Sequence, residues 1–198
     1  DLVLPSLAEI LKALFGIFLL LRMHSGAAGM FNLTVDGFWK SLFAGVLVLP
    51  AHVLLTIQTV EDAPAVPYGI GDVVTDLLIY VIVWLAYPVM MVAVTKVIDR
   101  QARFLDYIVP YNWAMVPVGY LLGAITCLGL FGYISRETEI NLFIIAYAAV
   151  SVMLAVIAQR QLRIGPFLAF GIVILDIGFN VVLINLLETF AQQPGAPT

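Results

Sequence analysis

The sequence is poor in charged residues. They make up 11% of its 198 positions, whereas 63% are hydrophobic, and the mean hydropathy is +1.07. Soluble globular domains average about 25% charged residues, because charge keeps their surfaces in water. This composition excludes a soluble globule. The net charge of −4 also argues against a basic, nucleic-acid-binding surface, so no nucleic-acid partner is expected.

Cysteine and histidine are scarce as well. The one cysteine, Cys127, lies inside an apolar run, where it can form neither an intrachain disulfide nor a thiolate cluster, and it is expected to be a packing residue. The two histidines, His24 and His52, do not favour paired haem ligation. The short motifs typical of serine hydrolases, zinc proteases, phosphate-binding loops and dithiol oxidoreductases are missing. The sequence therefore predicts no enzymatic activity, no cofactor and no metal site.

Long apolar runs are what the sequence does contain. Each has about 20 residues, enough for a helix to cross ~30 Å of hydrocarbon. The predicted spans cover residues 42–60, 74–94, 114–134, 140–158 and 166–190. They predict an all-α, polytopic transmembrane helix bundle forming one domain over residues 42–190. Residues 191–198 are predicted to be a disordered tail.

The N-terminal segment, residues 1–41, is predicted to be amphipathic and interfacial. Residues 4–21 carry Glu9 and Lys12 in their first half and are apolar afterwards. A charged pair is costly at membrane depth, which favours a helix lying on the membrane over a short sixth span, although both interpretations stay open.

Aromatic and basic side chains beside the apolar runs are predicted to contact lipid at the interface. These residues are Trp39, Lys40, Arg100, Arg103 and Trp113. Residues 96–111 mix apolar and charged positions in a way that predicts a short amphipathic helix on the membrane surface.

The basic residues lie almost entirely in alternate loops. Those on one side are Lys12, Arg22, Lys40, Lys96, Arg100, Arg103, Arg160 and Arg163, and Arg136 is the exception. Because basic loops resist translocation, the pattern predicts a cytoplasmic N-terminus and an external C-terminus in a bacterial inner membrane. Acidic loops with Glu61, Asp62, Glu137 and Glu139 would face outwards.

Three polar residues are predicted to lie near the bilayer midplane. Asp176 is about ten positions into the last span, or ~15 Å deep, and Asn180 follows at i+4 on the same face. His52 reaches a similar depth in the first span, so the three form a candidate intramembrane polar site. A charge there costs at least ~2.5 to 3.5 kcal/mol unless it is neutralised, paired or hydrated. The site is either proton- or ion-responsive, or an interhelical hydrogen bond that fixes packing.

Gly119 and Gly123 form a small-xxx-small pattern in the third span. Such a pattern allows close approach of another helix, within the chain or across a dimer.

Two segments look like those of small bacterial inner-membrane proteins: Phe31-Asn-Leu-Thr-Val-Asp-Gly-Phe-Trp-Lys-Ser41 and Tyr107-Ile-Val-Pro-Tyr-Asn-Trp113. With the amphipathic N-terminus and five closely spaced spans, the chain resembles the Yip1-like membrane proteins. The acidic Tyr-Gly-Pro motif of the eukaryotic members is missing. The resemblance therefore implies a five-span fold and no specific functional residue.

Two functions fit these features. One is a non-enzymatic scaffold or accessory subunit, whose partners would be the lipid bilayer and other membrane proteins or further copies of the chain. The alternative is a small proton- or ion-coupled transporter or channel that uses Asp176, Asn180 and His52. A third interpretation is a lipid-modifying enzyme with a site near the cytoplasmic interface, and it competes with simple ion pairing on a helix face. The residues of that site would be Asp99, Arg100, Arg103 and Asp106.

Overall fold

The computed structural model describes residues 4–62 and 68–191, and this part is 87% helical with no strand. The α-helices are α1 (Leu7–Leu21), α2 (Val35–Ser41), α3 (Phe43–Asp62), α4 (Ile70–Val97), α5 (Phe104–Leu130), α6 (Arg136–Leu162) and α7 (Pro166–Ala191). The last five are long and apolar enough to cross a membrane. The predicted all-α, multi-pass membrane fold is confirmed. The predicted disordered tail falls, from residue 192 onwards, outside the described residues.

Local sequence signals set several helix ends. The Ser6 hydroxyl accepts from the Glu9 N–H while the Glu9 carboxylate accepts from the Ser6 N–H, which satisfies two free donors at the start of α1. Ser135 caps α6 through the N–H of Thr138. As predicted, α7 begins at Pro166, where the missing N–H costs no hydrogen bond.

The surface helix predicted over residues 96–111 is wrong. α4 continues to Val97, a tight connection follows, and α5 begins at Phe104, so residues 104–111 form its first two turns. Tyr107, Ile108 and Val109 are buried, because α5 contacts α1, α2, α3, α4 and α6. Apolar residues that suited one face of an interfacial helix are instead surrounded by protein.

α5 is the central helix, and its closest partner is α3. A Cβ atom on Gly119 would lie 2.6 Å from Val48, and one on Gly123 would lie 3.0 Å from Ala51. The two glycines therefore let the α3 and α5 backbones approach each other closely. The predicted small-residue contact exists within the chain.

Burial is concentrated in one half of the bundle. α3 and α7 bury residues in their first halves, and α4 buries residues only in its second half. These halves meet at the end where α3, α5 and α7 begin and where α4 and α6 finish. That end carries Lys40, Lys96, Arg103 and Arg160, and it is called the basic face; the opposite end is the acidic face. Towards the acidic face, α4 and α7 bury no residue, whereas α5 and α6 do.

α1 packs beside α5 and α6. Its 15 residues extend about 22 Å, less than the ~30 Å of a hydrocarbon core. Ala13, Ile17 and Leu20 are buried against the bundle, whereas Leu11 and Phe15 on the opposite side are exposed. The helix is apolar on both sides because one side meets protein and the other is free to meet lipid.

Candidate functional site

A cavity of about 410 Å³ lies between α4, α5, α6 and α7, and it is called the central cavity. Its walls are mainly aliphatic and aromatic. The polar side chains that line it include Tyr111, Asn112, Ser151, Asp176 and Asn180. Size, apolar walls and a few convergent polar groups are the usual features of a small-molecule site.

Asp176 lies at the floor of this cavity. It is ten positions after Pro166, so it lies ~15 Å along α7, and it is 5% exposed. Its Oδ2 accepts a hydrogen bond of 2.7 Å from the Tyr111 hydroxyl, and its Oδ1 accepts one of 2.7 Å from the Asn180 side-chain amide. Each carboxylate oxygen therefore has one donor, which offsets part of the cost of removing the group from water.

Three tyrosines close the cavity towards the basic face. The rings of Tyr87 and Tyr111 are stacked with centroids 4.2 Å apart, and the hydroxyl oxygens of Tyr87 and Tyr107 are 2.5 Å apart. All three side chains are buried. This tyrosine cluster fills the space where α4 and α5 meet, so the cavity is blocked on that side. On the other side, towards the acidic face, the wall helices α4 and α7 bury no residue beyond Tyr87 and Asp176.

His52 does not belong to this site, and the predicted grouping with Asp176 and Asn180 is wrong in that respect. Its ring stacks on Tyr80 of α4 with centroids 4.4 Å apart, and it does not line the central cavity. Its Nε2 is buried without a hydrogen-bond partner among the residues described here. Similar depth along two helices does not bring their side chains together when the helices are not neighbours.

Trp113 does not contact lipid at the interface, so that prediction is wrong. Its side chain is 4% exposed and lines a small pocket together with Ala13 of α1 and Lys40 of α2. Every residue from Tyr107 to Trp113 is buried. The aromatic that looked like an interfacial anchor is part of the core because α1 covers it.

The other predicted interfacial residues differ in their surroundings. Trp39 is 55% exposed and is free to contact lipid. Lys40 forms ion pairs with Glu9 (3.0 Å) and Asp36 (3.1 Å), and it thereby ties α1 to α2. Hydrogen bonds from the Ser6 backbone and from Lys40 lower the pKa of Glu9 to about 2, so Glu9 is ionised at neutral pH.

Arg103 and Arg100 lie in the connection between α4 and α5 at the basic face. Arg103 pairs with Asp106 at 3.2 Å, and the Arg100 guanidinium donates to the backbone carbonyl of Asp99. Ion pairing and hydrogen bonding within this connection therefore account for its charged residues without a lipid-modifying active site.

A buried carboxylate joins α3 to α6 at the acidic face. Glu139 is 2% exposed and accepts hydrogen bonds from Gln58 and from Arg136 (2.9 Å), which also pairs with Asp62 at 2.7 Å. A Cβ atom on Gly129 would lie 2.6 Å from the Glu139 carboxyl carbon, so glycine leaves room for it. The sequence placed Glu139 in an exposed loop; in the structure it is in the first turn of α6 and buried.

The acidic face has an excess of negative charge. Its carboxylates are Glu61, Asp62, Asp72, Asp76, Glu137, Glu139 and Glu188, and Arg136 is the basic residue among the described residues there. The Tyr68 hydroxyl donates to Asp76, and this bond raises the pKa of Tyr68 to about 12. Negative charge therefore predominates at the end of the bundle opposite the tyrosine cluster.

Sequence reasoning identified Asp176 and Asn180 but not the aromatic residues around them. Trp84, Tyr87, Tyr111 and Tyr147 line the cavity. One signal was available: tyrosine deep in a span needs a partner for its hydroxyl, and Tyr107 and Tyr111 lie one turn apart in α5.

No family model, curated protein or solved structure matches the chain. The resemblance to Yip1-like proteins therefore stays a prediction, and the functional argument depends on the geometry of the site.

Proposed function

We propose that the protein binds a small molecule within the bilayer, in the central cavity, and exchanges it with the acidic face as a small transporter does. The observation that carries this proposal is the cavity itself: about 410 Å³ with a hydrogen-bonded carboxylate at its floor. The tyrosine cluster closes one end, and α4 and α7 bury no residue towards the other. This is the shape expected of a binding site that is accessible from one side of a membrane.

The alternative for Asp176 is a hydrogen bond that serves only packing. Helices that associate for packing alone approach each other closely and fill the space between them. Around Asp176 and Asn180, however, four helices leave a space large enough for a ligand. A carboxylate beside such a space favours binding over packing.

The proposed orientation places the basic face in the cytoplasm of a bacterial cell. Lys96, Arg103 and Arg160 share that face, and basic segments resist translocation. The cavity would then be accessible from outside. The test is labelling by a membrane-impermeant maleimide in a Cys127→Ser background: Glu137→Cys should react in intact cells, and Gln101→Cys only after permeabilisation. The reverse pattern would contradict this orientation.

The binding proposal is tested with protein in lipid nanodiscs and a panel of phenylalkyl amines, alcohols and carboxylates, measured by titration calorimetry. Ser151 lines the cavity from α6, so Ser151→Phe fills space that Ser151→Ala leaves free. We expect saturable binding of at least one probe, unchanged in Ser151→Ala and at least about tenfold weaker in Ser151→Phe. Absence of saturable binding across the panel, or equal binding by both variants, would overturn the proposal.

The scaffold or accessory-subunit hypothesis is a second candidate, and one observation favours it. α3, α4, α6 and α7 bury at most 28% of their most apolar segments inside the protein. A groove of about 230 Å³ between α3 and α4, beside Gly45 and Trp84, lies within that uncovered surface. The expected occupant is a transmembrane helix of another membrane protein. Purification from native membranes in mild detergent should then recover a stoichiometric partner, which Val46→Trp should displace by filling the groove.

A further inference from the structure

The charge of the central cavity is unbalanced. Among the side chains that line it, Asp176 is the carboxylate, and none is Lys, Arg or His. Each of its oxygens accepts a hydrogen bond from one side-chain donor, Tyr111 or Asn180. A carboxylate offers about four lone-pair sites, so acceptor capacity remains. A positively charged ligand would supply both the missing donor and the missing charge.

The walls of the cavity suit the rest of such a ligand. Trp84, Tyr87, Tyr111 and Tyr147 line it, and most of the remaining lining is valine, leucine and isoleucine. Aromatic faces attract cations through their quadrupole, and more strongly where water is excluded. The aliphatic side chains favour an apolar body over a heavily hydroxylated one. The surroundings therefore match an amphipathic molecule with one cationic group.

Other ligand classes fit the cavity less well. An anion would be repelled by Asp176 at short range in a medium of low dielectric constant. A bound Mg²⁺ or Ca²⁺ needs about six oxygen ligands, and the described residues contain no group of three or more His, Cys, Asp or Glu side chains placed to hold a metal. A small metal ion would also leave most of the 410 Å³ unfilled.

The acidic face adds a long-range effect. Glu61, Asp62, Asp72 and Asp76 lie at the end from which, in the proposed function, the ligand enters the cavity. Clefts lined by charge of one sign raise the local concentration of ligands of the opposite sign. The same end of the protein would attract a cation and repel an anion.

We infer that the ligand of the central cavity is an organic cation, a protonated amine with an apolar body, whose ammonium group binds the carboxylate of Asp176. This inference rests on the proposed function and adds the chemical class of its ligand. The aromatic walls then hold the apolar body, and the tyrosine cluster determines how far it enters.

The test uses three probes that share one body: 4-phenylbutylamine, 4-phenylbutan-1-ol and 4-phenylbutyrate. Binding to the full chain in phosphatidylcholine nanodiscs at pH 7.4 is measured by titration calorimetry, because a zwitterionic bilayer does not itself select for cations. We expect the amine to bind at least about 30-fold more tightly than the alcohol, and the acid to bind more weakly still. This comparison needs only the wild-type protein, so it does not depend on the folding of any variant.

Two variants then test whether Asp176 causes the tighter binding of the amine. Asp176→Asn should remove the advantage of the amine over the alcohol, whereas Asp99→Asn, an exposed carboxylate at the basic face, should retain it. Asn also tolerates the left-handed backbone at Asp99 (φ 55°), so the control preserves its geometry. If amine and alcohol bind equally, or if the acid binds most tightly, the cation inference is overturned while the cavity remains a binding site. If no probe binds, as in the panel above, the proposed function fails with it.

Discussion

The hydroxyl group of Tyr111 donates a hydrogen bond of 2.7 Å to the carboxylate of Asp176, and this bond joins the central helix α5 to the last helix α7. The two residues are 65 positions apart in the chain. Tyr111 also stacks on Tyr87 of α4, so one side chain links the floor of the cavity to its closed end. The carboxylate and the tyrosine cluster form one structural unit.

The coupling between Tyr111 and Asp176 should be measurable. Tyr111→Phe retains the ring stack and removes the donor, and Asp176→Ala removes the acceptor. We expect a double-mutant cycle to give a coupling of about 0.5 to 2 kcal/mol, because intramembrane hydrogen bonds are modest and those to charged groups are stronger. The free energy of unfolding in mixed detergent micelles measures it. Strictly additive losses would show that the bond contributes nothing.

His52→Phe should leave ligand binding in the central cavity unchanged. The phenyl ring preserves the stack on Tyr80, and His52 does not line the cavity. The measurement is amine-probe affinity by titration calorimetry, with Asp176→Asn as the comparison. A loss of affinity as large as that caused by Asp176→Asn would show that His52 contributes to the binding site and would contradict this geometry.

Gly119→Val should destabilise the contact between α3 and α5. The added Cβ would lie 2.6 Å from Cγ1 of Val48, so the helices must separate, at a cost of about 1 to 3 kcal/mol. Combining it with Val48→Ala should recover part of the loss by making room. Thermal unfolding in detergent checks both variants. A double variant no more stable than Gly119→Val would indicate that the strain lies elsewhere.

Glu139→Ala should loosen the acidic end of the bundle. It leaves Gln58 and Arg136 without their shared partner, at an expected cost of about 1 to 3 kcal/mol in the free energy of unfolding. Glu137→Ala is the matched control, because Glu137 is exposed in the same turn. Faster proteolysis near residue 136 in Glu139→Ala alone is the expected readout. Equal behaviour of the two variants would show that Glu139 does not hold α3 and α6 together.

Acid should weaken the attachment of α1. The folded-state pKa of Glu9, about 2, lies below its ordinary value of 4.5. The stabilising contribution is therefore complete above about pH 4.5 and is lost as the pH falls towards 2. Glu9→Gln keeps the N-terminal cap and loses the charge. The difference in melting temperature between wild type and Glu9→Gln should shrink between pH 5 and pH 2.5. A constant difference would exclude the ion pair with Lys40 as its cause.

Part of the candidate site was accessible from the sequence. Asp176 is conspicuous because a carboxylate in the middle of an apolar run is costly, and Asn180 shares its face by helical periodicity. Both interpretations depend only on local spacing. His52 has a similar predicted depth, but its assignment to the candidate site is wrong. Depth along a helix does not say which helices are neighbours.

For residues 96–113 the prediction from sequence is wrong in a different way, because residues expected at the membrane surface are buried in the protein. Their mix of apolar and charged positions suits an interfacial helix, and Trp113 suits an interfacial anchor. In the structure, α1 covers the outer side of α5 at this level, so Trp113 and Val109 are enclosed by protein. A helix that lies beside the bundle changes the surroundings of residues a hundred positions away, which no window along the sequence detects.

The sequence by itself determined that the chain is a five-span helical membrane protein with most of its basic residues on one face. Hydropathy and loop charge are local properties, and the bilayer acts on them directly. Only the tertiary structure decided that Tyr111 pairs with Asp176, that His52 stands apart and that a cavity remains between α4 and α7. Those outcomes depend on which helices become neighbours, and neighbours are selected by side-chain packing between segments far apart in the chain.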